Sequence, residues 1–211
     1  MSVQQQLDRV IPVIEALRQE SAIAVSIDTS SPEVMRAAVA AGANIINDVR
    51  ALTLPGALNA AVACQVPVIL MHSLVDGSTP NAVSDNCDIV AEVSHYLCQR
   101  AVACEQAGIK RENIILDPGF GGGWFGKTPA RNFELVRRFH ELHKLGYPLL
   151  AGVSRKSFIG STLENKVGER LVASVTLAVL LAQAGAHILR VHDVRETADA
   201  LAMLARVAGA V

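Results

Sequence analysis

Two hydrophobic rhythms alternate along the chain. Short, continuous apolar runs suit strands buried on both faces. Between them lie longer stretches whose apolar residues recur every three or four positions, as on an amphipathic helix. Leu7, Val10, Ile11, Ile14 and Leu17 predict a leading helix, with a kink at Pro12. Strands are predicted at Ile23–Asp28, Asn44–Val49, Val66–His72, Asn113–Asp117, Pro148–Ser154 and His187–Asp193. Helices are predicted from Pro32 to Ala41, Pro55 to Cys64, Asp85 to Ala107, Pro129 to Gly146, Val167 to Ala184 and Glu196 to Val207. Several start with Pro near the first helical position, and Gly42, Gly108, Gly146 and Gly185 serve as stops. A polar stretch, Ser73 to Ser84, shows no period and predicts a loop.

The pattern is a leading helix followed by six strand–helix units. Steady alternation of this kind means an α/β fold with a parallel sheet covered by helices. An open doubly wound sheet and a barrel both satisfy it. Six units that begin on a helix suit a (β/α)8 barrel whose first two strands are missing. The 211 residues are expected to form one domain, residues 1–211.

Composition narrows the functional classes. Hydrophobic residues make up 51% of the chain and aromatics only 4%, which fits closely packed helices on an aliphatic sheet. A net charge of -1 gives no broad footprint for nucleic acid or an anionic membrane, so any anion site must be local. Cys64, Cys87, Cys98 and Cys104 make no Cys-x-x-Cys pair, which argues against a zinc ribbon or redox motif. They read as small core residues of a reducing compartment. Met1 to Gln6 lacks a signal peptide's apolar core. The greasy run Leu171 to Ala186 contains Ser174, Thr176 and Gln183 and is too short to span a bilayer. The expected location is the cytoplasm.

The chemistry lies at the strand ends. The six predicted strands finish in Asp28-Thr29, Asn47-Asp48, Met71-His72, Asp117-Pro118, Ser154-Arg155-Lys156 and Arg190-Val191-His192-Asp193. Polar residues after apolar runs need partners, and in parallel α/β folds this end of the strands carries the ligand sites. A shared polar cavity satisfies all six. Asp28, Asn47 and Asp117 could grip a planar heterocycle rich in N–H donors. Lys156, Arg190 and His192 offer the opposite charge, as a phosphate-bearing ligand requires. Asp48 and Asp193 each follow a stronger candidate and are read as orienting groups.

Two other patterns compete. Gly121 to Thr128 matches the P-loop form G-x-x-x-x-G-K-[ST] after a strand and before a helix. Asp117 and Pro118 intervene, Trp124 and Phe125 bring bulk, and Pro129 occupies the first helical turn, all of which argue against a phosphate cradle. His140 and His143 share a helix at zinc-ligand spacing but have no third ligand and alternate with charged residues, as a solvated face would.

The segments Ser26-Ile27-Asp28-Thr29-Ser30, Ile46-Asn47-Asp48-Val49, Leu70-Met71-His72, Leu116-Asp117-Pro118-Gly119-Phe120-Gly121, Ser154-Arg155-Lys156-Ser157 and Arg190-Val191-His192-Asp193 together resemble the dihydropteroate synthase family, in its motif order and across nearly the whole chain. The resemblance implies a (β/α)8 barrel and a transferase of folate biosynthesis, a target of sulfonamides. Such an enzyme joins p-aminobenzoate to 6-hydroxymethyl-7,8-dihydropterin diphosphate and releases diphosphate. It also implies Mg2+ as cofactor, a homodimer, and no nucleic-acid or membrane partner. Carried over, Asp28, Asn47 and Asp117 hold the pterin edge, and Met71 and Gly152 line its pocket. Lys156 contacts the pterin and organises the aminobenzoate side beside Ser157, and Arg190 and His192 bind diphosphate.

The chain departs from the family in three ways. The family has two further strands before the leading helix, one bringing a magnesium-binding Asn that has no counterpart here. The barrel is therefore expected to be truncated at the N-terminus. The loop after Asp117 is longer than the family's, so Phe120 and Phe125 compete for its aromatic position. Ser73-Leu74-Val75 replaces the family's usual residues after Met-His. Two alternatives follow: a pterin-binding fragment that is inactive or depends on a partner, and a pterin-dependent methyltransferase domain.

Overall fold

The computed structural model describes residues 1–73, 88–122 and 125–209. Helices and parallel strands alternate through it, as in part of a (β/α)8 barrel. In chain order the elements are α1 (Val3–Glu20), β1 (Ser26–Asp28), α2 (Pro32–Ala40), β2 (Ile45–Asp48), α3 (Ala57–Cys64), β3 (Val68–Met71), α4 (Ile89–Gln106), β4 (Ile114–Asp117), α5 (Pro129–Arg137), β5 (Leu150–Ala151), α6 (Ser157–Leu163), α7 (Leu171–Gln183), β6 (Ile188–Leu189) and α8 (Val194–Val207). Met1–His72 with Tyr96–Leu116 make one unit, and the described parts of Ser73–His95 and Asp117–Val211 make a second.

In the first unit, strand order is β1-β2-β3-β4. The parallel register sets Asp28 beside Asn47 and Asp48 beside Leu70. β3 is buried along its whole length, as its unbroken run of Val68, Ile69, Leu70 and Met71 requires. Ser2 closes a capping box with Gln5 at the start of α1, and the helix continues through Pro12. Ser31 caps α2, its hydroxyl accepting from Val34 N, with Pro32 at the first position. In the second unit β5 and β6 pair in parallel, Leu150 beside Ile188 and Ala151 beside Leu189.

Several expected boundaries shift. The strands are shorter than the apolar runs: β5 and β6 keep two residues each. The Pro129–Gly146 helix is two pieces, α5 and a 3-10 turn over Phe139–Leu145. α3 starts after Gly56 rather than at Pro55 and has no side-chain cap. The sequence pattern did not reveal α6, and the helix expected from Val167 begins at Leu171 after a 3-10 turn over Val167–Glu169. Most of the expected loop after Ser73, the expected helix start at Asp85, and Cys87 lie outside the described residues.

Asp48 shows how one strand end is tied down. Its side chain is fully buried. Its carboxylate accepts from Arg50 N and Leu52 N, each at 2.9 Å, and from the Ser30 hydroxyl. Those bonds hold a turn in which Ala51 and Leu52 both have positive φ, at 50° and 59°. Burial raises the Asp48 carboxyl above its ordinary range despite these donors. Asp48→Ala strands the two backbone donors in an apolar setting, and each such group costs about 1–3 kcal/mol. The variant is expected to lose on the order of 2–4 kcal/mol in urea unfolding, with the midpoint lowered and the slope unchanged.

Candidate active site

The first unit gathers part of the predicted set. β1 and β2 end side by side, and Asn47 Nδ2 donates to Asp28 Oδ2 at 2.9 Å. Asn47 is buried and Asp28 is exposed, so the amide orients a carboxylate that remains accessible. Met71 closes β3 with its side chain buried. The next residue, His72, is buried with its ring edge-on to Tyr96 at 5.1 Å. Asp48 turns into its own loop and accepts from Ser30, Arg50 N and Leu52 N, so it serves the backbone turn rather than Asn47.

The second unit gathers the rest. Asp117, at the tip of β4, is buried, and its Oδ1 accepts from Gly119 N at 2.7 Å. Burial pushes its carboxyl up to about 6, against the pull of that bond and of Lys156, Lys127 and Arg190. Lys156 precedes α6 and sets its ammonium 4.2 Å from the centre of the Phe125 ring, a cation–π contact. Gly152 follows β5. A Cβ there would lie 3.8 Å from Arg190 Cβ, which shows how near these two neighbouring strands bring their ends. Arg190 N donates to Ala151 O at 3.0 Å. Ser154 is buried between the strand ends; its hydroxyl accepts from His192 N at 3.2 Å and lies 3.0 Å from His192 Nδ1. The serine thereby fixes both the backbone and the ring of an exposed histidine. Ser157, exposed, opens α6.

Arg155 takes another path. It has a left-handed backbone, with φ at 57°, and forks onto both oxygens of Asp193. That guanidinium holds Asp193 below the usual carboxylate range. Asp193 is thus engaged by Arg155, while His192, the candidate it follows, is held by Ser154.

The glycine-rich loop resolves the aromatic ambiguity. Phe120 is buried and stacks on Phe139, with centroids 6.4 Å apart, so it belongs to the core. Phe125 lies beside Gly121 and under Lys156. Gly121 has φ of 140°, and a Cβ there would fall 2.6 Å from the Phe125 ring, so only glycine lets the aromatic fold back. Lys127, the lysine of the P-loop pattern, points inward and donates to Gly119 O at 2.8 Å. Trp124 and Gly123 lie outside the described residues. His143 reaches Ala184 O at 3.0 Å and packs edge-on to Phe139, which gives it a local structural task.

Sequence reasoning named Ser154 at a strand end and Phe125 as a candidate for the loop's aromatic position, but it did not reveal that Ser154 holds His192 or that Phe125 meets Lys156. It weighed Lys127 only as the lysine of a P-loop pattern, whereas the side chain turns onto Gly119 O. Among the described residues, no three His, Cys, Asp or Glu side chains gather into a metal cage. Asp117, Asp48 and Asp193 each already accept hydrogen bonds from the protein.

Comparison with known proteins identifies the family. The family described as "Pterin binding enzyme" matches residues 1–192. The dihydropteroate synthase of Escherichia coli K12 is 47% identical over 201 residues, 95% of this chain and 70% of that protein. The Synechocystis enzyme is 40% identical over 212 residues, 100% of this chain and 71% of that protein. Among solved structures, the Stenotrophomonas maltophilia dihydropteroate synthase with imidazole in its active site superposes with a TM-score of 0.93 at 48% identity, covering 98% of this chain and 77% of that one. The Xanthomonas albilineans enzyme in complex with 7,8-dihydropteroate gives 0.91 at 48% identity, covering 100% and 76%. A chain that carries these strand-end motifs and matches at this identity over nearly its whole length belongs to the dihydropteroate synthase family of pterin-binding enzymes.

Proposed function

We propose that the chain condenses 6-hydroxymethyl-7,8-dihydropterin diphosphate with p-aminobenzoate to give 7,8-dihydropteroate and diphosphate. The observation that carries this reading is the second unit's constellation. A buried carboxylate, Asp117, lies under the influence of Lys156 and Arg190, with His192 held on Ser154 beside them. It offers an acceptor for a donor-rich ring together with cations for an anion. A relative at 48% identity binds the product of this reaction.

The residues take these roles. The family resemblance assigns Asp28, Asn47 and Asp117 to the pterin edge and Met71 and Gly152 to its pocket, and the bond from Asn47 to Asp28 supports that pairing within the first unit. Lys156, with Ser157 next to it, contacts the pterin and organises the aminobenzoate side. Arg190 and His192 stabilise the departing diphosphate. The bond from the pterin methylene to the diphosphate oxygen breaks, and the methylene carbon becomes cation-like. The arylamine nitrogen then forms the new C–N bond and sheds a proton. Fixed cations at the leaving group act where charge develops, which makes the contribution mainly electrostatic. Magnesium, implied by the family, would travel with the substrate, since Mg2+ favours phosphate oxygens with one or two carboxylates. No described residue is assigned to hold it.

Cytoplasmic location and a homodimer belong to the same proposal. No described helix is long and apolar enough to cross a membrane. The free Cys64, Cys98 and Cys104 suit a reducing compartment. The dimer rests on the family resemblance.

Diphosphate release tests the reaction. With both substrates and magnesium, release is expected from the chain and is expected to fall on the order of 10²–10³-fold in Lys156→Ala. Ligand binding without release from the unaltered chain would favour the pterin-binding or methyltransferase readings instead.

The raised Asp117 carboxyl gives a second prediction. Only the carboxylate accepts two ring donors, so pterin affinity falls as pH drops through about 6. 6-Hydroxymethyl-7,8-dihydropterin lacks the phosphates that titrate in the same range. Its binding, followed calorimetrically, is expected to weaken toward about tenfold per pH unit below that point. Asp117→Asn is expected to bind weakly at every pH and to flatten the profile.

A further inference from the structure

The lysine of the P-loop pattern needs a different explanation. Lys127 is 2% exposed, among the least accessible large side chains in the protein. It does not face a surface where an anion could reach it. Its amine donates to Gly119 O at 2.8 Å, and Gly119 N donates to Asp117 Oδ1 at 2.7 Å. One glycine is thus gripped at its carbonyl by Lys127 and at its amide by Asp117. The other end of the lysine is fixed as well. Lys127 N donates to Gly121 O at 3.3 Å, and Asn132 Nδ2 donates to Lys127 O at 3.2 Å. Asn132, fully buried, returns to the loop through Oδ1, which accepts from Gly121 N at 2.7 Å.

We propose that Lys127 is a positioning residue for Asp117, fixing through Gly119 the carboxylate that grips the pterin and supplying that carboxylate with a buried counter-charge. The inference rests on the proposed role of Asp117 in pterin binding and assigns a task to a residue outside that set.

The electrostatics agree. Burial drives the Lys127 amine down to about 7, and Asp117 is the strongest influence holding it up, followed by Glu92 from α4. Lys156 and Arg131 press the other way. Glu92 Oε2 is itself buried and has no hydrogen-bond partner among the described residues. Asp117 in turn faces Lys156, Lys127 and Arg190. Breaking a buried pair leaves an uncompensated charge, so the state of Lys127 must register at Asp117.

The test reads the two groups directly, by carbon-detected NMR titration of the full chain. Asp117→Asn and Lys127→Arg provide the assignments. In the unaltered protein, Lys127 is expected to titrate near 7 and to respond as Asp117 titrates near 6. A Lys127 that titrates like a solvent-exposed lysine overturns the proposal. In Lys127→Met the Asp117 titration is expected to move up by about half a pH unit or more, since a nearby cation has been removed. The KM for dihydropterin diphosphate is expected to rise about tenfold with kcat within about threefold, and Lys127→Arg to recover part of the loss. Lower thermal stability with an unmoved Asp117 titration and unchanged KM would make Lys127 a structural residue only. If the titrations couple as expected but the unaltered chain neither binds pterin nor releases diphosphate, the functional reading fails and the link between Lys127 and Asp117 stands.

Discussion

A carboxylate enclosed at the tip of β4 sets the terms for the second unit. An isolated ion cannot stay buried cheaply; it must be paired, hydrogen-bonded or protonated. Asp117 uses all three means. It accepts from Gly119 N, lies among Lys156, Lys127 and Arg190, and still has its carboxyl pushed up to about 6. The surrounding chain follows from this demand. The loop after Asp117 must turn at once so that Gly119 can reach back. The loop must also bring Lys127 inward, and Asn132 from α5 must hold the loop there. The outcome is a buried carboxylate kept in place by its own loop.

The first unit meets the same constraint on a smaller scale. Successive residues of a strand point to opposite faces, so Asn47 and Asp48 cannot share a task. Asn47 spends its amide on the neighbouring strand end and leaves the Asp28 carboxylate oriented and accessible. Asp48 spends its carboxylate on Arg50 N, Leu52 N and Ser30, which makes a left-handed turn tolerable. Asp28 stays exposed beside Asn47, and Asp48 is consumed by the fold.

The parts of the fold and site that were legible share one property: they depend on neighbours close in sequence. Ser31-Pro32 wrote the start of α2, Thr128-Pro129 that of α5, and unbroken apolar runs wrote the strands. α6 was not legible because no side chain caps Lys156 and because Gly160 stands within its seven residues. That glycine is explained only by Arg170, whose guanidinium lies where a Cβ would be; Arg170 also donates to Arg155 O at 3.0 Å. The choice between Phe120 and Phe125 likewise depended on the path of the loop through Gly121. The strand-end residues were legible as polar groups after apolar runs. Their supports, Ser154 under His192 and Phe125 under Lys156, were not, since these contacts join residues whose spacing carries no signal.

The glycine-rich loop shows where a motif and its physics part. A phosphate cradle works because successive backbone N–H groups point at the ligand unspent. Here Gly119 N is spent on Asp117, Gly121 N on Asn132, Phe125 N on Gly122 O and Lys127 N on Gly121 O. The lysine that would meet a terminal phosphate is spent on Gly119 O. With these donors used inside the loop, the letters of the pattern describe a rigid support for Asp117. At the strand ends, by contrast, the side chains of Arg190 and His192 are exposed.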